Sequence, residues 1–184
     1  MASILIPLAH GCEELEAVTL IDLFRRAGFQ VISAGLEPGP VRCSRGTVLL
    51  PDQTLEEAEH GDYDLMVLPG GLPGADHLNA DPRVHRLLNK MTEAGRYVGA
   101  ICAAPKVLAD AGLLKGKRAT AYPGVLEAMD LGEDTELTTA TVQRDGKVIT
   151  SRGPGTAMDF ALDLIELLAG PEKRRQVEEP LQRP

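Results

Sequence analysis

The sequence is poor in cysteine, and the few cysteines present are not spaced for a structural role. They are an odd number, and no two have the Cys-x-x-Cys spacing of zinc sites and dithiol motifs: Cys12, Cys43 and Cys102. A disulfide framework is therefore excluded as the main source of stability. We expect free thiols in a reducing compartment, with Cys43 modestly exposed in a hairpin, and neither a metal nor an organic cofactor.

The sequence also lacks a long apolar run and a basic cluster. Its first apolar segment, 3–8, contains Pro7 and is followed by His10 and three glutamates, so no membrane span or signal segment is expected. The formal net charge is −8, and the basic residues are scattered along the chain. We therefore expect a cytoplasmic protein without a membrane or a specific nucleic-acid partner.

The chain is long enough for one substantial core, because 43% of its 184 residues are hydrophobic, and we expect a single domain over 1–184. Short apolar runs alternate with helical patterns, which is typical of a sheet built from β–α units. The predicted strands are 3–8, 30–34, 65–68, 97–101 and 118–121, with hairpin-like segments at 41–50 and 138–150. The predicted helices are 13–27, 83–94, 103–111 and 156–168, each closely followed by a glycine suited to end it (Gly28, Gly95, Gly112 and Gly170), and the tail 171–184 is predicted to hold one more short helix and a frayed end.

Cys102 lies at the junction between an apolar run, 97–101, and a helical run that begins at Ala103. Unpaired backbone N–H groups and aligned peptide dipoles at the first turn of a helix favour a thiolate over a thiol. The strand–turn–helix context is also that of a nucleophile elbow, which lifts a reactive atom above the carboxyl ends of a parallel sheet. Cys102 is therefore the candidate nucleophile.

Glu16 is a carboxylate on the apolar face of the first predicted helix. On a helical wheel it falls between Leu23 and Ala27. If that face packs on the sheet, desolvation raises the pKa of Glu16, so that it can donate a hydrogen bond or move a proton. The alternative is a first-turn acid that only favours the helix N-terminus.

Two glycine- and proline-rich segments follow predicted strands. In the segment 69–74, the backbone N–H groups of Gly70 and Gly71 can approach a ligand closely and, with that of Ala103, form an oxyanion hole. The segment 151–156, which contains Pro154, can close the same pocket. Each segment is also compatible with ordinary turn and helix-start chemistry.

Leu15 and Val18 are apolar residues on the arc of the first helix that should face water. Because they are adjacent at positions i and i+3, they suggest a symmetric homodimer contact through this helix. Isolated apolar residues on a surface are common, which leaves the plain alternative open. No histidine lies near Cys102 in the sequence, and His10, at the end of the first strand, is the best placed to reach it through folding.

Five segments of the sequence are distinctive in combination: Gly-Cys-Glu-Glu-Leu-Glu-Ala-Val at 11–18, Cys-Ser-Arg-Gly at 43–46, Val-Leu-Pro-Gly-Gly at 67–71, Ala-Ile-Cys-Ala-Ala-Pro at 100–105 and Thr-Ser-Arg-Gly-Pro-Gly-Thr-Ala at 150–157. In these segments the chain resembles the DJ-1/PfpI superfamily, and the resemblance extends over almost its whole length. It implies a flavodoxin-like, three-layer α/β sandwich with a mostly parallel sheet, usually a homodimer. It also implies Cys102 as an oxidisable nucleophile with Glu16 as its partner, Gly70 and Gly71 lining the nucleophile pocket, and Pro154 closing its far side.

The activities that the resemblance implies are glutathione-independent glyoxalase, deglycation of early methylglyoxal and glyoxal adducts, and redox-regulated chaperoning. Our leading hypothesis is that Cys102 attacks the aldehyde of a small 2-oxoaldehyde, free or already added to an amine or a thiol, and that Glu16 relays the proton. The competing hypothesis is a redox-sensing protective chaperone without significant catalysis. Tyr122 stands where some members carry a histidine, and Ala103 argues against the protease-like branch, which has histidine directly after the cysteine.

Overall fold

A seven-stranded sheet forms the centre of the computed structural model, which describes residues 1–183. Six of its strands are parallel, and the edge strand β10 is antiparallel to its neighbour. In spatial order the strands are β10 (Val142–Asp145), β11 (Val148–Ser151), β7 (Tyr97–Ile101), β6 (Leu65–Leu68), β1 (Ser3–Leu8), β2 (Gln30–Gly35) and β5 (Gln53–Thr54).

Helices cover both faces of this sheet. They are α1 (Glu14–Arg26), α2 (Leu55–Ala58), α3 (Gly74–Ala80), α4 (Pro82–Glu93), α5 (Pro105–Asp110) and α6 (Ala157–Glu178). Two small sheets lie outside the central one: a hairpin of β3 (Val41–Arg42) and β4 (Val48–Leu49), and a parallel pair of β8 (Arg118–Ala119) and β9 (Glu136–Leu137). None of the helices within residues 1–183 has the length and apolar character needed to cross a bilayer.

The alternation of side chains along β1 divides the apolar core into two parts. Ile4 and Ile6 contribute to the core that contains residues of α1 and α6, whereas Leu5 contributes to the core that contains residues of α3, α4 and α5. The central strands are buried on both faces, as their continuous aliphatic runs predict. The predicted three-layer α/β architecture is therefore confirmed.

The predicted strand 118–121 is wrong in its extent and its place. Only two of its residues form a strand, β8, which pairs with β9 outside the central sheet. The position beside β7 is taken by β11, which runs parallel to it from the hairpin that it forms with β10. The short elements β5, α2 and α3 have no counterpart in the sequence prediction.

The four glycines that the sequence predicts at helix ends are found there, but the bounds of two helices differ from the prediction. Gly28, Gly95, Gly112 and Gly170 all have positive φ. However, α5 begins at Pro105 instead of residue 103. The last helix continues as α6 through a break at Gly170 (φ 85°) and is followed by a 3₁₀ turn at Glu179–Leu181, so a helix in the tail is confirmed. The final residue of the predicted tail, Pro184, lies outside the described residues.

Four parallel strands, β1, β6, β7 and β11, all end at the same edge of the sheet, and this edge determines where the candidate functional site lies. The loops that follow them begin at residues 9, 69, 102 and 152. The carboxyl edge of a parallel sheet is where ligands bind in open α/β folds.

Candidate active site

Cys102 occupies a sharp turn directly after β7. Its φ of 63° lies in the left-handed region, which costs a residue with a side chain about 1–2 kcal/mol. Two backbone hydrogen bonds hold the turn: the Cys102 N–H donates to the Ser151 carbonyl at 3.1 Å, and the Cys102 carbonyl accepts from the Tyr122 N–H at 2.9 Å. This geometry is that of the predicted nucleophile elbow, with 9% of Cys102 exposed.

Gly70 lets the loop after β6 approach the elbow. A Cβ added at Gly70 would stand 2.7 Å from the Cys102 Cβ and 2.7 Å from the Ile101 carbonyl oxygen, which is shorter than any real contact. No residue other than glycine fits between these two segments without displacing the nucleophile.

Glu16 is fully buried on α1, under the same loop. Its Oε2 accepts a hydrogen bond from the Gly70 N–H at 2.7 Å. Its buried Oε1 has no hydrogen bond of ordinary geometry among the described residues, and the Cys102 thiol is the neighbour that interacts with this carboxyl group. Burial raises the pKa of Glu16 to about 7, although the Gly70 N–H and the thiol lower it. This direction agrees with its place on the apolar face of the helix.

The expectation that Cys102 has a lowered pKa is wrong for this position. Burial and the negative charge of Glu16 raise the pKa of Cys102 to about 12, and the N–H groups of Gly71 and Ala103 lower it only in part. The helix dipole contributes less than expected because α5 begins at Pro105, two residues later than predicted.

Cys102 and Glu16 therefore titrate as one unit. Two acidic groups that interact this strongly lose their protons in two steps that belong to the pair. The first proton leaves near neutrality, and the second stays until the pH is far higher. Above pH 7 the pair mainly carries one negative charge and one proton, which the sulfur and the carboxyl group can exchange directly.

The backbone donors of the site differ from the three that the sequence suggests. The Gly70 N–H is already bonded to Glu16, so it cannot also bind a substrate oxygen. The N–H groups of Gly71 and Ala103 remain directed at the sulfur. An oxyanion that forms beside Cys102 would meet these two donors.

An open pocket of about 300 Å³ gives access to Cys102. Its lining includes four of the residues singled out from the sequence, Cys102, Gly71, Ala103 and Pro154, and also Tyr122. Glu16 and Gly70 lie behind this lining. The sulfur of Cys102 is thus accessible from the pocket, whereas the carboxyl group of Glu16 is shielded from solvent.

Five further lining residues were missed from the sequence: Glu13, Ser44, Arg45, Leu72 and Val125. The hairpin β3–β4 carries Ser44 and Arg45 to the pocket. Its turn is held against α1, because the Arg45 N–H and the Ser44 hydroxyl donate to the Glu14 carboxylate at 3.0 and 3.1 Å. The one sequence signal was the Cys-Ser-Arg-Gly segment, which by itself predicts only a turn.

No histidine within residues 1–183 lines this pocket. Tyr122 is 52% exposed at the rim, with its ring against Gly153. His10 instead accepts a hydrogen bond from the Arg42 N–H and lines a separate cavity of about 410 Å³ together with His77. Within residues 1–183 no group of three or more His, Cys, Asp or Glu side chains is arranged to hold a metal ion.

Leu15 and Val18 face solvent, as their position on the helical wheel predicts. They are 50% and 44% exposed on α1. Other exposed apolar side chains are found on two neighbouring elements, the β3–β4 hairpin and the start of α6: Val48, Leu50 and Met158.

Comparison with known proteins gives matches along nearly the full chain. Residues 2–167 match the DJ-1/PfpI family. A zebrafish (Danio rerio) Parkinson disease protein 7 homolog is 44% identical over 179 residues, which is 96% of this chain and 95% of that protein. The glutathione-independent glyoxalase DJR-1.2 of Caenorhabditis elegans is 38% identical over 180 residues, which is 98% of this chain and 95% of that protein.

Solved structures agree with the fold. DJ-1beta of Drosophila melanogaster superposes with a TM-score of 0.93 at 42% identity, covering 98% of this chain and 97% of that one. An oxidized DJ-1 of Toxoplasma gondii superposes with a TM-score of 0.93 at 37% identity, covering 98% of both chains.

Proposed function

The chain belongs to the DJ-1/PfpI family, and we propose that it is a cysteine-dependent glyoxalase that converts small 2-oxoaldehydes such as methylglyoxal into 2-hydroxy acids. The observation that carries the proposal is the pairing of Cys102, in an open pocket, with Glu16, which is buried directly behind it. The named activity of the nematode relative supports the same substrate class.

The first step is attack of the Cys102 sulfur on the aldehyde carbon. The new C–S bond forms while the thiol proton passes to Glu16, whose pKa of about 7 suits a group that accepts and returns a proton at neutral pH. The aldehyde oxygen becomes an oxyanion between the N–H groups of Gly71 and Ala103. Glu16 then returns its proton to this oxygen, which gives a hemithioacetal.

The next steps complete an internal redox reaction without an external oxidant. Hydrogen moves from the former aldehyde carbon to the neighbouring carbonyl carbon, while Glu16 takes the proton from the oxygen of the first carbon and gives it to the oxygen of the second. The first carbon is thereby oxidised to a thioester, and the second is reduced to an alcohol. One water molecule then hydrolyses the thioester, restores the Cys102 thiol and releases the 2-hydroxy acid. Methylglyoxal plus water thus gives lactate.

The same chemistry extends to early adducts of 2-oxoaldehydes with amines and thiols. We propose that glycated amines and thiols are substrates as well, because the pocket is open to solvent and Ser44 and Arg45 add polar groups to its lining. Parallel kinetics on free methylglyoxal and on a pre-formed adduct, with spontaneous release of aldehyde measured, test this extension. Equal fractional losses in Glu16→Gln on both substrates indicate one underlying aldehyde reaction, whereas a loss on the free aldehyde alone contradicts it.

Lactate formation from methylglyoxal tests the main proposal. We expect the wild type to form lactate and Cys102→Ala to form none above the buffer reaction. Cys43→Ala is the matched control, since it removes a thiol outside the pocket lining and should keep the activity. Full turnover in Cys102→Ala contradicts the mechanism.

A second candidate function is redox sensing with protective chaperoning. The observation that favours it is the small exposure of Cys102 beside two N–H donors and the unbonded Oε1 of Glu16, because an oxidised sulfur would find hydrogen-bond partners there. Mass spectrometry after mild peroxide treatment tests this function. The absence of stable dioxidation at Cys102 counts against it.

We also propose that the protein acts as a cytoplasmic homodimer. Its three unpaired thiols suit a reducing compartment. Leu15 and Val18 would pack across a two-fold axis, with the exposed apolar residues of the hairpin and of α6 beside them.

A further inference from the structure

Cys12 and Cys43 are the two thiols that the proposed reaction does not use, and they touch each other. Their Sγ atoms are 3.6 Å apart, although 31 residues separate them in the chain. Both cysteines are reduced. Cys12 is fully buried and Cys43 is 4% exposed, so the expectation of a modestly exposed Cys43 is wrong: the hairpin folds its thiol inward.

Backbone hydrogen bonds hold the two segments together independently of the sulfurs. The Gly11 N–H donates to the Arg42 carbonyl at 2.8 Å, and the Ser44 N–H donates to the Cys12 carbonyl at 2.8 Å. The loop before α1 and the start of the hairpin are therefore fixed beside one another. A disulfide bond is about 2.05 Å long, so the two sulfurs need to approach by roughly 1.5 Å to form one.

We propose that Cys12 and Cys43 form a second redox site, separate from Cys102, which hydrogen peroxide or another hydroperoxide converts into an intramolecular disulfide. The site does not depend on the proposed glyoxalase activity, because neither sulfur lines the Cys102 pocket.

The reaction balances with the peroxide as the only oxidant. The sulfur of Cys43, the less buried of the two residues, attacks one peroxide oxygen and becomes a sulfenic acid, and one water leaves. The Cys12 sulfur then attacks the sulfenic sulfur, the S–O bond breaks, and the thiol proton of Cys12 leaves with the hydroxyl as a second water. Burial raises the pKa of both thiols, so the site reacts more slowly than an exposed cysteine does.

The disulfide would join two walls of the pocket covalently. Glu13 follows Cys12, Ser44 and Arg45 follow Cys43, and all three line the pocket. In the reduced protein these walls are joined by hydrogen bonds, among them that from the Ser44 hydroxyl to Glu13 at 3.0 Å.

Peptide mapping of the Cys102→Ala variant tests the proposal, because only the proposed pair then remains. The folded variant is treated with hydrogen peroxide, blocked with iodoacetamide in denaturant and digested with trypsin without reduction. Cleavage after Arg25, Arg42 and Arg45 gives two peptides, 1–25 and 43–45. We expect these peptides to appear linked, with the mass of two hydrogen atoms lost, in a protein that stays monomeric on a non-reducing denaturing gel.

Two outcomes overturn the proposal. One is Cys43 oxidised to a sulfinic or sulfonic acid while Cys12 stays reduced, and the other is a link found only between two chains. A second variant, Cys12→Ala with Cys102→Ala, tests the order of the steps. It should stop at a Cys43 sulfenic acid that dimedone traps, and failure to trap it in a folded protein contradicts the order of the steps.

Discussion

Replacing Glu16 with glutamine should move the ionisation of the catalytic pair to higher pH. The wild-type pair loses its first proton near the value of about 7 that burial gives to Glu16. The pair can lose its first proton either from the carboxyl group or from the thiol. The pKa of this first ionisation is therefore no higher than the pKa that the Cys102 thiol has beside an uncharged partner. The side-chain amide introduced by Glu16→Gln is such a neutral partner of nearly the same shape, and it leaves the thiol as the only group that can ionise.

The size of the shift follows from what surrounds the sulfur. Burial is the largest influence on the pKa of Cys102, and we expect it to outweigh the lowering by the N–H groups of Gly71 and Ala103 when the charge of Glu16 is absent. The variant thiol should therefore ionise at or above the ordinary cysteine pKa of roughly 8.5. The expected shift is about 1.5 pH units or more, a factor of roughly 30 in the ionisation equilibrium.

Alkylation by iodoacetamide across roughly pH 5 to 10 measures this shift, because the thiolate is the reactive species. The tryptic peptide 97–106 contains Cys102 as its only cysteine, so mass spectrometry assigns the rate to this sulfur. The rate of lactate formation, measured over the same range, should lose its rise near pH 7 and fall by roughly 100-fold or more at pH 7, as is usual when an acid–base group is removed. A midpoint that stays at or below the wild-type value in a folded Glu16→Gln variant refutes the reasoning.

Three further predictions concern the surroundings of the pair. Leu15→Glu should turn the proposed homodimer into a monomer, as measured by light scattering, because the new charges would meet across its two-fold axis, whereas Leu137→Glu on β9 should leave the oligomeric state unchanged. Burial raises the pKa of Glu14, but hydrogen bonds from backbone N–H groups lower it further, to about 2, so the ionised Glu14 stabilises the hairpin. The NMR amide signals of the hairpin should therefore shift as the pH falls from about 4.5 to about 2, and Glu14→Gln should abolish this dependence. Gly70→Ala should lower kcat/KM by about 100-fold, since the added Cβ displaces the elbow, and unchanged kinetics would contradict the tight contact.

Local sequence patterns were sufficient for the β–α units that form the layers. The aliphatic runs of β1, β6 and β7, and the apolar stripe of α1, depend on residues that are neighbours in the chain. By contrast, α3 begins at Gly74, where helix propensity is low, and its start is fixed by close approach to the backbone of Cys12. Such a contact between distant segments leaves no local pattern.

The candidate site, like the fold, has parts that the sequence predicts and parts that it does not. The elbow and the buried carboxylate are visible in the sequence, because each is a departure from a local pattern: a thiol at a strand–helix junction and an acid on an apolar face. The pKa of the thiol was not predictable, since it depends on where α5 begins and on the charge of Glu16. The contact between Cys12 and Cys43 was not predictable either, because the hairpin that creates it is oriented by hydrogen bonds to α1.

The left-handed backbone at Cys102 means that the residue needed for activity is not the residue that makes this turn most stable. Glycine adopts a φ of 63° without the steric penalty that cysteine incurs, so an inactive Cys102→Gly chain recovers about 1–2 kcal/mol at the turn, against which stands the loss of a small buried side chain. In a lineage that no longer needs the chemistry, replacement of Cys102 by glycine would cost the folded protein little stability. Retention of cysteine at this turn in such a lineage would indicate that the sulfur is still in use.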